Sequence, residues 1–165
     1  MSLLLNGSKT ITIAGTVMQC IEIYTGEAYT FPFNFTDSVG DPLDCTGWTL
    51  GTSAKYYTAD TITYTSDIEI DIGNLTLDSP QPTASAYSAL TATFTTASSG
   101  IGYLYIPATL TGGTGSPNPT PIISLANSSA NTNIVVVTMS VTRTDALSGL
   151  SNISKEPIGM IVRYQ

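Results

Sequence analysis

Asp67, Glu69 and Asp71 stand two residues apart and alternate with Ile68, Ile70 and Ile72, which lines three carboxylates along one face of an extended segment. Hard oxygen ligands grouped in this way are what a Ca²⁺ ion takes. Carboxylates two apart on a strand project in parallel, however, and do not converge as those of a calcium loop do. The row therefore reads as the solvated side of a strand. Asp37, Asp41 and Asp44 fall in a turn, where Asp bonds nearby backbone, and turn chemistry accounts for them before a metal does. No metal or cofactor is assigned to either group.

Histidine is absent from all 165 residues, which removes the commonest general base and a common metal ligand. Serines and threonines abound, but without a base and without a GxSxG elbow they form no nucleophilic constellation. Gly112-Gly-Thr-Gly115 follows no βα unit and carries no lysine, which argues against a phosphate cradle. A glycosidase-like carboxylate pair would have to be drawn from twelve acids scattered over turns and one strand face. The chain reads as a non-enzyme, and no catalytic residue is nominated.

Five Lys and Arg against twelve Asp and Glu leave a formal net charge of −7, with no basic cluster, so a nucleic-acid groove is not expected. Charged residues are only 10% of the chain, against about a quarter in ordinary soluble domains. The two cysteines, Cys20 and Cys45, lie in no metal-binding spacing. Two small buried hydrophobes is the reading favoured over a disulfide. Asn6, Asn34, Asn74, Asn127 and Asn152 each open an Asn-x-Ser/Thr sequon, as a Ser- and Thr-rich chain produces by chance. The start MSLLLNGSK lacks the charged and apolar regions of a signal peptide, and no stretch has the length of a membrane helix. A soluble protein made in a cytoplasm, with no membrane partner, is expected.

The elements that would carry these residues are strands. The stretch from Gly26 to Tyr57 organises the chain. Tyr29, Phe31, Phe33 and Phe35 alternate with Thr30, Pro32 and Asn34, the period of a strand with one aromatic, buried face. Asp37 to Pro42 breaks the run as a turn, and Trp48, Leu50, Thr52, Ala54 and Tyr56 then share one side of a second strand. That second strand is expected to pair with the first. Further strands are read at Leu3–Leu5, Ile11–Tyr24 (interrupted by Gly15), Thr61–Ile72 and Leu75–Leu77. Leu90–Thr95 and 102–107 form a hairpin candidate, Ile134–Arg143 a central strand, and Ile158–Tyr164 a closing strand with Ile158, Met160 and Val162 on one side. Residues 111–133 are a long Gly-, Pro-, Ser- and Asn-rich loop in which only Pro121–Leu125 suits a strand, and 145–156 is a second loop.

Eight to ten short strands separated by turns predict an all-β domain, an antiparallel β-sandwich of immunoglobulin-like or jelly-roll-like type. Residues 1–21 are expected to be an N-terminal arm or edge strands, and 22–165 a single domain. The arm has two open placements, against a neighbouring subunit or at the edge of its own sheet.

The turn Asp37, Gly40, Pro42, Asp44, Thr46, Gly47, preceded by Gly26-Glu27, Phe33 and Phe35, resembles the opening of a family of tailed-bacteriophage virion proteins. These are the N-terminal domains of baseplate upper proteins and related tail or fibre-attachment modules. Cys45 stands where that pattern has Leu. Gly102-Tyr-Leu-Tyr-Ile-Pro107 is similar to a later strand of the family, and 134–143 with 158–165 to its closing pair. The resemblance implies a structural protein of the tail, baseplate or neck, an assembly adaptor that contacts other virion proteins and itself and is located in the virion. The strand alternation makes Phe31, Phe33, Phe35 and Trp48 core aromatics of the domain. The arm and the loop at 111–133 are then the expected contact segments, with the arm dispensable for folding. Two other readings stand beside it: a capsid decoration protein, and a glycan-binding sandwich using Tyr57, Tyr64 and Tyr87.

Overall fold

A computed structural model describes residues 1–13, 15–24, 26–66, 69–77, 89–110, 132–144 and 149–163. Its described residues are all-β. The strands are β1 (Ser2–Leu5), β2 (Lys9–Ile13), β3 (Thr16–Tyr24), β4 (Tyr29–Thr36), β5 (Thr49–Ala59) and β6 (Ile62–Tyr64). They continue as β7 (Glu69–Ile72), β8 (Leu75–Leu77), β9 (Thr91–Thr96), β10 (Ile101–Ile106), β11 (Thr132–Thr144) and β12 (Ser151–Arg163). Four make a small sheet in the order β1-β4-β10-β9, and eight make a large one in the order β6-β7-β2-β3-β12-β11-β5-β8.

The large sheet curls. Tyr57 to Ala59 oppose Leu77 to Leu75, and Ile62 to Tyr64 oppose Ile72 to Ile70. Between these ladders the Asp60 N–H donates to the Asn74 carbonyl and the Gly73 N–H to the Thr61 carbonyl, each at 3.1 Å. One hairpin in one register thus runs through both ends of the strand order. Because β7 also pairs with β2 and β5 with β11, the sheet bends round a core of its own. Ile11, Cys20, Ile70, Ile72, Ile134 and Ile161 fill it. Gly159 belongs to this packing, since a Cβ there would lie 3.3 Å from the Ile11 side chain.

The opposite face of β3, β12, β11 and β5 carries Ile21, Ile23, Ile158, Met160, Val162, Val135, Val137, Met139, Val141, Ala54 and Tyr56. These pack on Leu3, Leu5, Phe33, Phe35, Leu104 and Ile106 of the small sheet. Alternation explains the division: odd and even residues of β11 and β12 serve different cores, so 134–137 and 158–162 are apolar on both faces.

Four expectations change. Twelve strands appear among the described residues where eight to ten were expected; β5–β6 and β7–β8 are each one strand broken by the bend at Asp60-Thr61 and Gly73-Asn74. The pairing is not wholly antiparallel, since β3 with β12 and β2 with β7 run parallel. β4 and β5 do not form a hairpin: β4 pairs with β1 and β10, β5 with β11 and β8. Twelve residues separate Thr36 from Thr49, enough for the chain to cross from one sheet to the other, so the two apolar faces meet across the core, with Phe35 and Trp48 edge to face at 6.4 Å. Residues 151–156, expected as loop, belong to β12, held by the ladder to β11 from Ser151 opposite Thr144 onward.

The hairpin β9–β10 forms as expected, and β11 is central between β12 and β5. β1 and β2 are tied into the two sheets of their own chain, with Leu3 and Leu5 in the core. Pro121–Leu125 and most of the loop at 111–133 lie outside the described residues.

Candidate docking face

The predicted turn residues are brought together. The Asp37 carboxylate accepts from the backbone N–H groups of Val39, Gly40 and Asp41 at 2.8, 2.9 and 3.0 Å. These bonds hold its carboxyl below the ordinary range. Gly40 has φ +96°, a conformation that side chains resist. Pro42 bridges to Thr36, and the Asp44 carboxylate accepts from the Thr46 hydroxyl and from the Thr46 N–H, the latter at 2.9 Å, and both lower its pKa. Gly47, at φ +80°, lets the Trp48 N–H return to the Cys45 carbonyl at 3.0 Å. All these donors belong to the turn itself, so the acids fix the crossing between the sheets.

Its product is the aromatic core. Phe33 and Phe35 are buried, and Tyr29, Phe31, Trp48 and Phe94 pack at their margins. Phe33 stands edge to face with Phe35 at 5.5 Å and with Phe94 at 6.0 Å. Burying one such ring contributes roughly 1.5–3 kcal/mol. Gly102 makes room for Phe33, since a Cβ there would sit 2.6 Å from the ring.

Other candidates are not gathered. Glu69 and Asp71 are exposed on β7, and Asp67 lies outside the described residues. Among the described residues no three Cys, Asp or Glu side chains form a metal-binding group. Tyr57 packs against the core of the curled sheet, the Tyr64 hydroxyl donates to Glu22 at 2.9 Å, and Tyr87 lies outside the described residues. Cys20 is inside the curled sheet and Cys45 between the sheets; both are free thiols. Burial pushes the Cys20 thiol up to about 12 and the Cys45 thiol to about 11.

The feature that sequence reasoning missed is the outer face of the small sheet. With Phe33, Leu104 and their row turned inward, alternation turns Leu4, Pro32, Asn34, Ile101, Tyr103 and Tyr105 outward, beside Thr30, Thr91, Thr93 and Thr95. Register sets them in rows: Leu4 beside Asn34 and Ile101, Pro32 beside Tyr103 and Thr93, Thr30 beside Tyr105 and Thr91. Leu4 is 48% and Ile101 44% exposed. No residue of β1, β4, β9 or β10 has a charged side chain. The charges of the described residues sit on the large sheet (Lys9, Glu22, Lys55, Glu69, Asp71, Arg143, Lys155, Glu156) and in turns. The signal was present in the sequence as four uncharged segments.

The edge of this sheet is occupied. The Gln19 side chain, reaching from β3, donates to the Leu3 carbonyl at 2.5 Å and accepts from the Leu5 N–H at 2.6 Å. Its amide stands where the next strand would otherwise pair. The sheet therefore offers its face rather than its β1 edge.

No protein-family model matches the chain, and no curated protein matches it either.

Proposed function

We propose that this protein is a non-enzymatic structural module of a bacteriophage particle, an assembly adaptor of the tail, baseplate or neck. The observation that carries the docking role is the segregation of charge. A sheet face exposed to water ordinarily carries polar residues with charged ones among them, whereas this face mixes hydroxyls, aromatic rings and aliphatic groups with no charge among them. Interface cores are depleted in charge and enriched in Tyr in the same way. The particle assignment rests on the resemblance of the turn from Asp37 to Gly47 to that of virion adaptor domains. In this reading the small sheet laid on the flank of the curled sheet is the β-sandwich of such domains, and the partners are other virion proteins.

The test is location. Labelled protein is traced in reconstructed particles, in parallel with an Ile101→Lys/Tyr103→Glu variant whose fold is checked by circular dichroism. Tail, baseplate or neck density that the folded variant fails to enter supports the reading. Density on the shell would make the protein a decoration component of the head instead, and absence from particles overturns the assignment.

A further inference from the structure

We infer that the occupant of the uncharged face is a second copy of this chain, with two small sheets stacked face to face. The inference rests on the docking role proposed above and names its partner.

The chemistry of the face is self-complementary. Tyr and Thr hydroxyls each donate and accept, so a row such as Pro32, Tyr103, Thr93 can meet its own two-fold copy with its hydrogen bonds made. A row of lysines or glutamates could not do so. The electrostatics agree. Copies bearing −7 repel one another, and this sheet is where they approach with no charged side chain between them. The charged strands are held behind it, across the inter-sheet core. What repulsion remains comes from acids beside the ends of β4, Glu27 and Asp37, and is screened by salt. A strongly charged partner would find no counter-charge here. Growth of a continuous sheet through β1 is opposed by the Gln19 amide, so strand addition at that edge does not compete with stacking.

The size of the face sets the strength. Four strands about 4.8 Å apart and six residues about 3.4 Å long each give roughly 400 Å² per copy. Two copies would bury less than the roughly 1,200 Å² of a standard stable interface. The contact is therefore weak in isolation and gains from the effective concentration of copies held together in an assembly.

The experiment is sedimentation of the purified chain from about 10 μM to about 1 mM, at low and high salt, with Ile101→Lys alongside. The expected result is a mass that rises toward the dimer with concentration, rises further with salt as like-charge repulsion is screened, and stays monomeric in the folded variant. An NMR dilution series of the unmodified chain gives a variant-free readout, in which the concentration-dependent shifts gather at Leu4, Ile101, Tyr103 and Tyr105. A monomer at every concentration, a dimer that Ile101→Lys leaves intact, or shifts centred elsewhere overturns the inference. Particle entry that still depends on this face in a chain that remains monomeric would retain the docking role and reject self-stacking alone.

Discussion

Gln19 and Leu5, fourteen residues apart, meet where the side-chain Oε1 accepts the backbone N–H at 2.6 Å. A strand of the large sheet thereby fastens the edge of the small one. Gln19→Ala leaves a backbone donor and acceptor of β1 without this partner, and the expected cost is about 1–3 kcal/mol. Denaturant titration measures that cost, and hydrogen exchange at the Leu5 amide should accelerate more than exchange at Leu104, in the middle of the same sheet.

Leu3 and Leu5 are each only 4% exposed and lie among Phe33, Phe35 and the large sheet. Leu5→Ala is expected to cost about 2–5 kcal/mol. Removal of residues 1–8 takes both leucines and bares the β4 edge, so the truncated chain should melt much earlier and associate nonspecifically. A truncated chain with an unchanged thermal midpoint would show that β1 is dispensable.

Asp37 has its pKa lowered by backbone donors, first the Val39 N–H. Its contribution is present above the ordinary value of 3.8 and is lost as pH falls from there through the lowered folded value. Asp37→Asn keeps an acceptor in the turn but does not titrate. The variant should be somewhat less stable at neutral pH and show a shallower acid limb in thermal midpoint against pH, whereas Asp37→Ala should be weaker at every pH.

Gly102 faces the Phe33 ring and the Thr93 carbonyl oxygen, and an added Cβ would come within 2.6 Å of the ring. Gly102→Ala forces a backbone or ring shift in a packed core, at an expected cost of about 1–3 kcal/mol or more. Near-ultraviolet circular dichroism should report the disturbed aromatic cluster.

Cys20 and Cys45 are both buried and occupy different cores. A thiol reagent at pH 8 should label neither within the time that labels both in denaturant, since buried thiols remain protonated and inaccessible. Rapid labelling of one thiol under native conditions would reveal local opening of its core.

The alternation in Tyr29–Phe35 and in Trp48–Tyr56 showed which residues of each strand are buried, and those faces do meet. It said nothing about which strand each would hydrogen-bond to, because a side-chain period records burial and is silent on backbone pairing. The curled core was half legible: Ile70 and Ile72 stood out against their acids, but closing the curl depends on the Asp60–Asn74 register, a long-range match. Ser151–Glu156 read as loop because its residues are polar, and the ladder to β11 overrides that local preference. The uncharged face was the least legible feature. Leu4, Pro32, Ile101 and Thr93 come from four separated segments, and only the sheet order makes them neighbours.

The parallel seam between β3 and β12 sets a timetable for biosynthesis. Every strand of the small sheet has been synthesised once Ile106 is made, while the curled sheet cannot be joined on its β3 side until Ile158–Arg163 emerges to lie along Gln19–Tyr24. Until then Ile11, Cys20 and Ile70 lack Ile161, the last residue of their core to be made. Contacts spanning so much of the chain slow folding, so nascent molecules would carry an open isoleucine-lined trough, and the closing strand is where a chaperone or a cold-sensitive mutation would have its largest effect on yield.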